Sequence, residues 1–191
     1  MMAASGSSIP SPHHQYTTRI MNPDEAVEVS HCAYLAYGYS YSNDFIYYPE
    51  MIRQLMDSGE RMPFVCLTET GEIVGHVAAV TRPDDPLMYE VDDAFVRTEF
   101  RGGGSLKTMG TALNSYFHNQ GATGVYTLAV TSHPYSQKVA HLWNLKDCAI
   151  LISNDLTFEF KGIKLSSQRE LPPYSSVAMA MPMAFLAIAM G

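Results

Sequence analysis

The stretch Arg101-Gly102-Gly103-Gly104-Ser105-Leu106 constrains this chain more than any other. A run ending Ala94-Phe95-Val96 leads into it and reads as a strand. Leu106, Met109, Leu113, Tyr116 and Phe117 follow at helical spacing. Strand, glycine-rich turn and helix start together make an anion site. Glycines let a ligand approach the backbone, and the first N–H groups of a helix point outward without partners. A phosphate or pyrophosphate suits such a place. The three glycines alone suit a plain surface turn equally well.

Two familiar phosphate loops fail on spacing. A P-loop needs glycine directly before Lys-Ser/Thr, but Leu106 precedes Lys107-Thr108. The dinucleotide fingerprint needs a third glycine, and Lys107 stands there. A third pattern, Arg/Gln-x-x-Gly-x-Gly/Ala, agrees at Arg101 and Gly104 and departs at Leu106. Through that pattern the chain resembles the GNAT family of N-acetyltransferases. Other segments match in order. Phe64-Val65-Cys66-Leu67, Thr70-Gly71-Glu72 and Ile73 to Val77 look like the family's central hairpin. Val96 to Gly102 resembles its strand-to-loop signature, and Val125 to Val130 its fifth strand. His133-Pro134-Tyr135-Ser136 stands where the family starts a helix with Asn-x-x-Ala, and Asn144-Leu145 where it usually has Gly-Phe. Ala140 falls where many members carry a tyrosine general acid.

The resemblance implies an α/β acyl-CoA N-acyltransferase fold. Its mixed, mostly antiparallel sheet splays between strands four and five and is flanked by helices. It implies acetyl-CoA in that splay, with the backbone of Ala94, Phe95 and Val96 along the pantetheine. Arg101, Gly102, Gly103, Gly104, Ser105 and Leu106 would hold the pyrophosphate, or Arg101 would instead tie the fold together. An amine must lose a proton before it attacks. Glu90, Asp92 and Asp93 are the carboxylates near the start of the fourth strand, and simple alternation puts Glu90 and Asp92 on one face and Asp93 on the other. Glu90 is the first candidate base and His133 the second, against the plainer readings of a solvated strand face and a locally bonded histidine. His76, mid-strand, reads as a packed histidine. Tyr34, Tyr37, Tyr39, Tyr41, Tyr47 and Tyr48 crowd the segment joining the first two helices, either as core or as an aromatic enclosure for an amine.

Composition narrows the function class. Of 191 residues, 47% are hydrophobic and 16% charged, which excludes wholesale disorder. A net charge of −7 disfavours a nucleic-acid partner and suits a cationic acceptor. The three cysteines lie in apolar runs without metal spacing, and no histidine pattern suggests a metal. Reduced cysteines and the absence of a signal-like start lead us to expect a cytoplasmic protein. Two functions follow: acetyl transfer to a small amine or lysine side chain in a ternary complex, or a catalytically weak acyl-CoA sensor acting through a protein partner.

The chain divides into a tail over 1–15, a body over 16–161 and an extension over 162–191. In the body, a strand over 16–20 precedes a helix begun by Asn22-Pro23-Asp24-Glu25 and stopped at Gly38. Tyr48-Pro49-Glu50 opens a second helix, stopped at Gly59. A hairpin over 63–81, a strand over 87–96, a helix over 105–119, a strand over 124–131, a helix over 135–143 and strands over 148–153 and 156–161 follow. The extension holds an apolar run, Val177 to Met190, too short for a bilayer span of about 20 residues. It is expected to pack on a partner or another copy, to lie at a membrane surface, or to open a longer chain.

Overall fold

The computed structural model describes residues 15–131, 134–151 and 176–182. Its centre is a seven-stranded sheet. The strands are β1 (Thr17–Ile20), β2 (Arg61–Leu67), β3 (Ile73–Arg82), β4 (Asp85–Val96), β5 (Gly124–Val130), β6 (Lys146–Leu151) and β7 (Ser176–Pro182). Their spatial order is β1-β2-β3-β4-β5-β7-β6. Among the described residues β4 and β5 alone run parallel, and every other neighbouring pair is antiparallel. The helices are α1 (Ala26–Tyr37), α2 (Pro49–Asp57), α3 (Ser105–Asn119) and α4 (Tyr135–Leu142).

Local chemistry explains the helix starts. Before α1, Pro23–Glu25 forms a tight 3-10 turn, and the Asn22 N–H donates to Glu25 Oε2 at 2.8 Å. Glu25 also pairs with Arg19 at 2.5 Å, which ties β1 to the helix entry. Pro49 occupies the first turn of α2, where its missing N–H costs nothing. Strand alternation then splits the core between the two faces of the sheet. Phe64, Cys66, Tyr89, Val91 and Val96 pack against Met109, Leu113 and Phe117 of α3. Val65 and Phe95 face Val29, Ala33, Ala36, Ile46 and Ile52 of the α1–α2 layer.

Three expectations change. β4 begins at Asp85 rather than 87, and the strand expected at 148–153 runs Lys146–Leu151. More consequentially, the segment read as an extension contains β7. All seven of its residues pair with β5, and its other edge carries β6. Met179 is fully buried against Ala129, Ala140 and Leu145. Apart from Val177 the strand lacks the β-branched and aromatic residues that favour strands, so the run carried little local signal of its place between two strands. The strand expected over 156–161 and the apolar run beyond 182 lie outside the described residues. No helix among the described residues is long and apolar enough to cross a membrane.

Candidate active site

The site is built where β4 and β5 part. Their pairing covers Met88↔Gly124, Tyr89↔Val125 and Glu90↔Tyr126, and then stops. Thr127 Oγ1 donates to Val91 O at 2.8 Å, a last tie at the apex. Beyond it both strands continue, β4 to Val96 and β5 to Val130, with a wedge between them. The N–H of Arg97 donates to Val74 O on β3. Alternation in an antiparallel ladder therefore sends the Phe95 peptide toward β3 and that of Val96 toward the wedge. Phe95 thus contributes a core ring, while Val96 lies with its backbone toward the wedge. The Arg101 Nε–H donates to Val96 O at 3.0 Å, so Arg101 braces the loop against the strand.

The glycine turn stands at the mouth of this wedge. Gly102 and Gly104 have φ of 83° and 94°, conformations open to glycine and strained for side chains. A Cβ at Gly103 would come within 2.7 Å of the Tyr16 hydroxyl. Gly104 precedes α3 and has no side chain to cap it, and the first turn of α3 contains no acid. The turn thus meets the needs of an anion: close approach, outward N–H groups and positive dipole. Arg97 pairs with Glu72 at 2.5 Å and with Glu99 at 2.6 Å, fixing the run into the turn.

On the α1–α2 side of the apex lies a carboxylate group. Glu90 accepts from the Tyr126 hydroxyl at 2.8 Å, and Arg82 Nη1 donates to the same hydroxyl at 3.0 Å. Burial, then the charge of Asp92, raises the Glu90 carboxyl above its ordinary range, against the Tyr126 bond and Arg61 and Arg82. Sequence inspection named Glu90 without these partners; Tyr126 lies on β5, directly opposite it, and Arg82 on β3. The simple alternation of Asp92 and Asp93 is corrected. Between His76 and Ala78 the β3–β4 register slips, and Asp93 has φ 54°. This is a bulge, with one extra residue on β4. It brings Asp93 to the same side as Asp92, and both accept from Arg61 Nη1, at 2.5 and 3.0 Å.

Other candidates fall as follows. His76 is buried beside Phe95, its Nδ1 without a hydrogen-bond partner, and burial pushes its imidazole down to about 3. Among the tyrosines, Tyr37 and Tyr41 pack on Phe95, whereas Tyr39 is 80% exposed. Ala140 is buried among Ala129, Leu145 and Met179, and offers no proton. His133 lies outside the described residues. One feature escaped the sequence reading entirely. Trp143, just after α4, donates from Nε1 to Leu106 O at 2.8 Å and lies against Gly110, joining α4 to the first turns of α3.

A sequence profile described as the Acetyltransferase (GNAT) family matches residues 27–143, which includes the wedge, the glycine turn and α4. The chain belongs to the GNAT family. Solved structures agree in fold. A ribosomal-protein-S5-alanine acetyltransferase from Vibrio fischeri superposes with a TM-score of 0.63 at 12% identity, covering 87% of this chain and 92% of that one. A spermidine/spermine N-acetyltransferase from Vibrio cholerae gives 0.67 at 11% identity, covering 93% and 98%. A dodecameric spermidine N-acetyltransferase of the same species gives 0.69 at 12%, covering 93% and 99%. No curated protein matches the sequence. At these identities the GNAT fold is shared, and the acceptor-side chemistry must be read from this chain's own residues.

Proposed function

We propose that this GNAT protein transfers the acetyl group of acetyl-CoA to a primary amine by direct attack in a ternary complex. The observation that carries the reading is the wedge whose apex is Glu90↔Tyr126 and whose mouth is the glycine turn. When bound, the coenzyme supplies an activated thioester, whose C–S bond breaks as the C–N bond to the amine forms. The N–H groups from Arg101 to Leu106 hold the pyrophosphate, and the backbone of Ala94, Phe95 and Val96 aligns the pantetheine amides. Arg101 already braces Val96, so its contribution to the anion is secondary to the backbone. Holding both reactants in line supplies much of the acceleration.

Glu90 takes the proton of the incoming ammonium, directly or through one water. A carboxyl raised by burial is a stronger base than one in water. Tyr126 and Arg82 hold it in one orientation at the apex. Solvent returns a proton to the departing thiolate, because Ala140 has none to give. The acceptor is a cationic amine, which the carboxylates of Glu90 and Asp92 favour electrostatically. The structural neighbours named for spermidine and for a ribosomal-protein alanine indicate which acceptors to try first.

Thiol release from acetyl-CoA is measured across spermidine, spermine, lysine and an alanyl peptide. At least one amine should stimulate release. Glu90→Gln should lower kcat by about 10²-fold, the scale of a lost general base, with coenzyme affinity retained. A pH–rate profile untouched by the substitution removes Glu90 from the mechanism. The second reading, an acyl-CoA-binding regulator, is favoured by the apolar Ala140 site. It takes over if the coenzyme binds and no amine releases thiol.

A further inference from the structure

We propose that Asp93 is a positioning residue for the acceptor: it pins the loop between α1 and α2 against β4, making that loop a fixed wall beside Glu90. The inference rests on the reading above that the amine approaches Glu90.

Asp93 gathers two segments that are distant from it in sequence. Arg61 Nη1 of β2 donates to Oδ2 at 2.5 Å. Asn43 Nδ2 donates to Oδ1 at 2.7 Å, and reaches Asp92 Oδ2 at 3.3 Å. The buried Tyr41 hydroxyl is an electrostatic neighbour of the same Asp93 carboxyl. With its side chain 1% exposed, Asp93 has no access to bulk water, so its hydrogen bonds must come from these donors. Asn43 and Tyr41 both belong to the 38–48 loop. A buried carboxylate that loses a donor suffers the full desolvation penalty, which makes each bond a strong restraint on the loop.

The remaining contacts of the loop point the same way. Tyr41 packs on Tyr37 and Phe95 with ring centroids 4.9 and 5.7 Å apart, and its N–H donates to the Tyr47 hydroxyl at 2.9 Å. The Arg61 guanidinium lies 4.7 Å over the Phe45 ring. The underside of the loop is therefore moulded on the Asp93–Arg61 pair, while Tyr39 and Tyr48 stay on its outer side. Asp92, held by the same Arg61 and Asn43, is two residues from Glu90 and on its face. The bulge is what permits this. A regular strand would turn Asp93 to the α3 side, away from the loop.

The test uses the full chain and the pair Tyr41→Phe/Asn43→Ala, which leaves the Asp93–Arg61 bond intact. Hydrogen exchange is followed in peptides covering 38–48 and 105–119, together with acetyl-CoA affinity by calorimetry and thiol-release kinetics. We expect exchange over 38–48 to quicken by about tenfold or more, with 105–119 unchanged. Amine KM should rise by about tenfold, with kcat at saturating amine and coenzyme affinity each held within about threefold. Asp93→Asn should give the same pattern more strongly if it folds. Unchanged exchange over 38–48 overturns the anchoring. A looser loop with unchanged amine KM, or a parallel fall in coenzyme affinity, overturns the positioning role. Wild type that releases no thiol with any amine removes the acetyl-transfer reading and the positioning role together, while exchange still decides whether Asp93 holds the loop.

Discussion

His76 and Asp93 line the same small space beside Arg61, and burial shifts their protonation in opposite senses. The imidazole is pushed down to about 3, so between pH 6.5 and 3 the unfolded chain binds a proton that the native state refuses. Stability from His76 is complete above pH 6.5 and falls as pH falls, by about 1.4 kcal/mol per unit. Burial, then the charge of Asp92, pushes the Asp93 carboxyl up to about 7, so between roughly pH 4 and 7 the native state holds the extra proton. Stability from Asp93 is complete below its unfolded value and is lost as pH rises. In the shared window the two slopes offset. Relative to wild type, His76→Gln should therefore gain about 1–3 kcal/mol on going from pH 6.5 to 4.5, and Asp93→Asn should lose a similar amount. Urea midpoints at the two pH values check both signs. That the two share one space was not visible from sequence. Glu90 could be named from its place on a strand, but its link to Tyr126 and Arg82 depends on strand register. The bulge that reorients Asp93 leaves no mark in the order of residues.

At the scale of elements, what is local was legible. Asn22-Pro23 and Pro49 announced α1 and α2, and the glycine turn announced α3. Contacts between elements were not, and Trp143 on Gly110 is the clearest case. Alanine is a better helix former than glycine by about 1 kcal/mol. At Gly110 that gain is outweighed, because an added Cβ would land on the Trp143 ring. Gly110→Ala should displace the indole, break its bond to Leu106 O and cost about 1–3 kcal/mol. Trp143 is the only tryptophan, so a red shift of its emission reports the displacement directly. Unshifted emission with unchanged stability counts against the clasp. Gly104→Asp tests the turn itself. It places a strained, negative side chain at the head of α3 and should weaken acetyl-CoA binding by at least about tenfold in calorimetry, in a variant that remains folded.

For the whole molecule, the decisive departure from sequence expectation is β7. Residues 176–182 supply the outer partner of β5 and the partner of β6. The run from Val177 looked like an appendage because its pairing is long-range and its paired residues, Val177 apart, are neither β-branched nor aromatic. Removing 176–191 should therefore unfold the half of the sheet beyond the wedge and abolish coenzyme binding, whereas a chain ending at Pro182 keeps β7. Thermal melts and calorimetry of the two truncations distinguish the outcomes; a stable, coenzyme-binding chain without 176–191 would show that β7 is dispensable. The same strand order has a consequence for biogenesis. While the ribosome is still making the segment between Leu151 and Ser176, β5 has one bare edge and β6 has no strand to join. The near wall of the wedge can be complete while its far wall waits for β7, so a nascent chain passes through a state with an exposed β5 edge. Closure of this sheet therefore trails the making of β6 by the whole segment between Leu151 and Ser176.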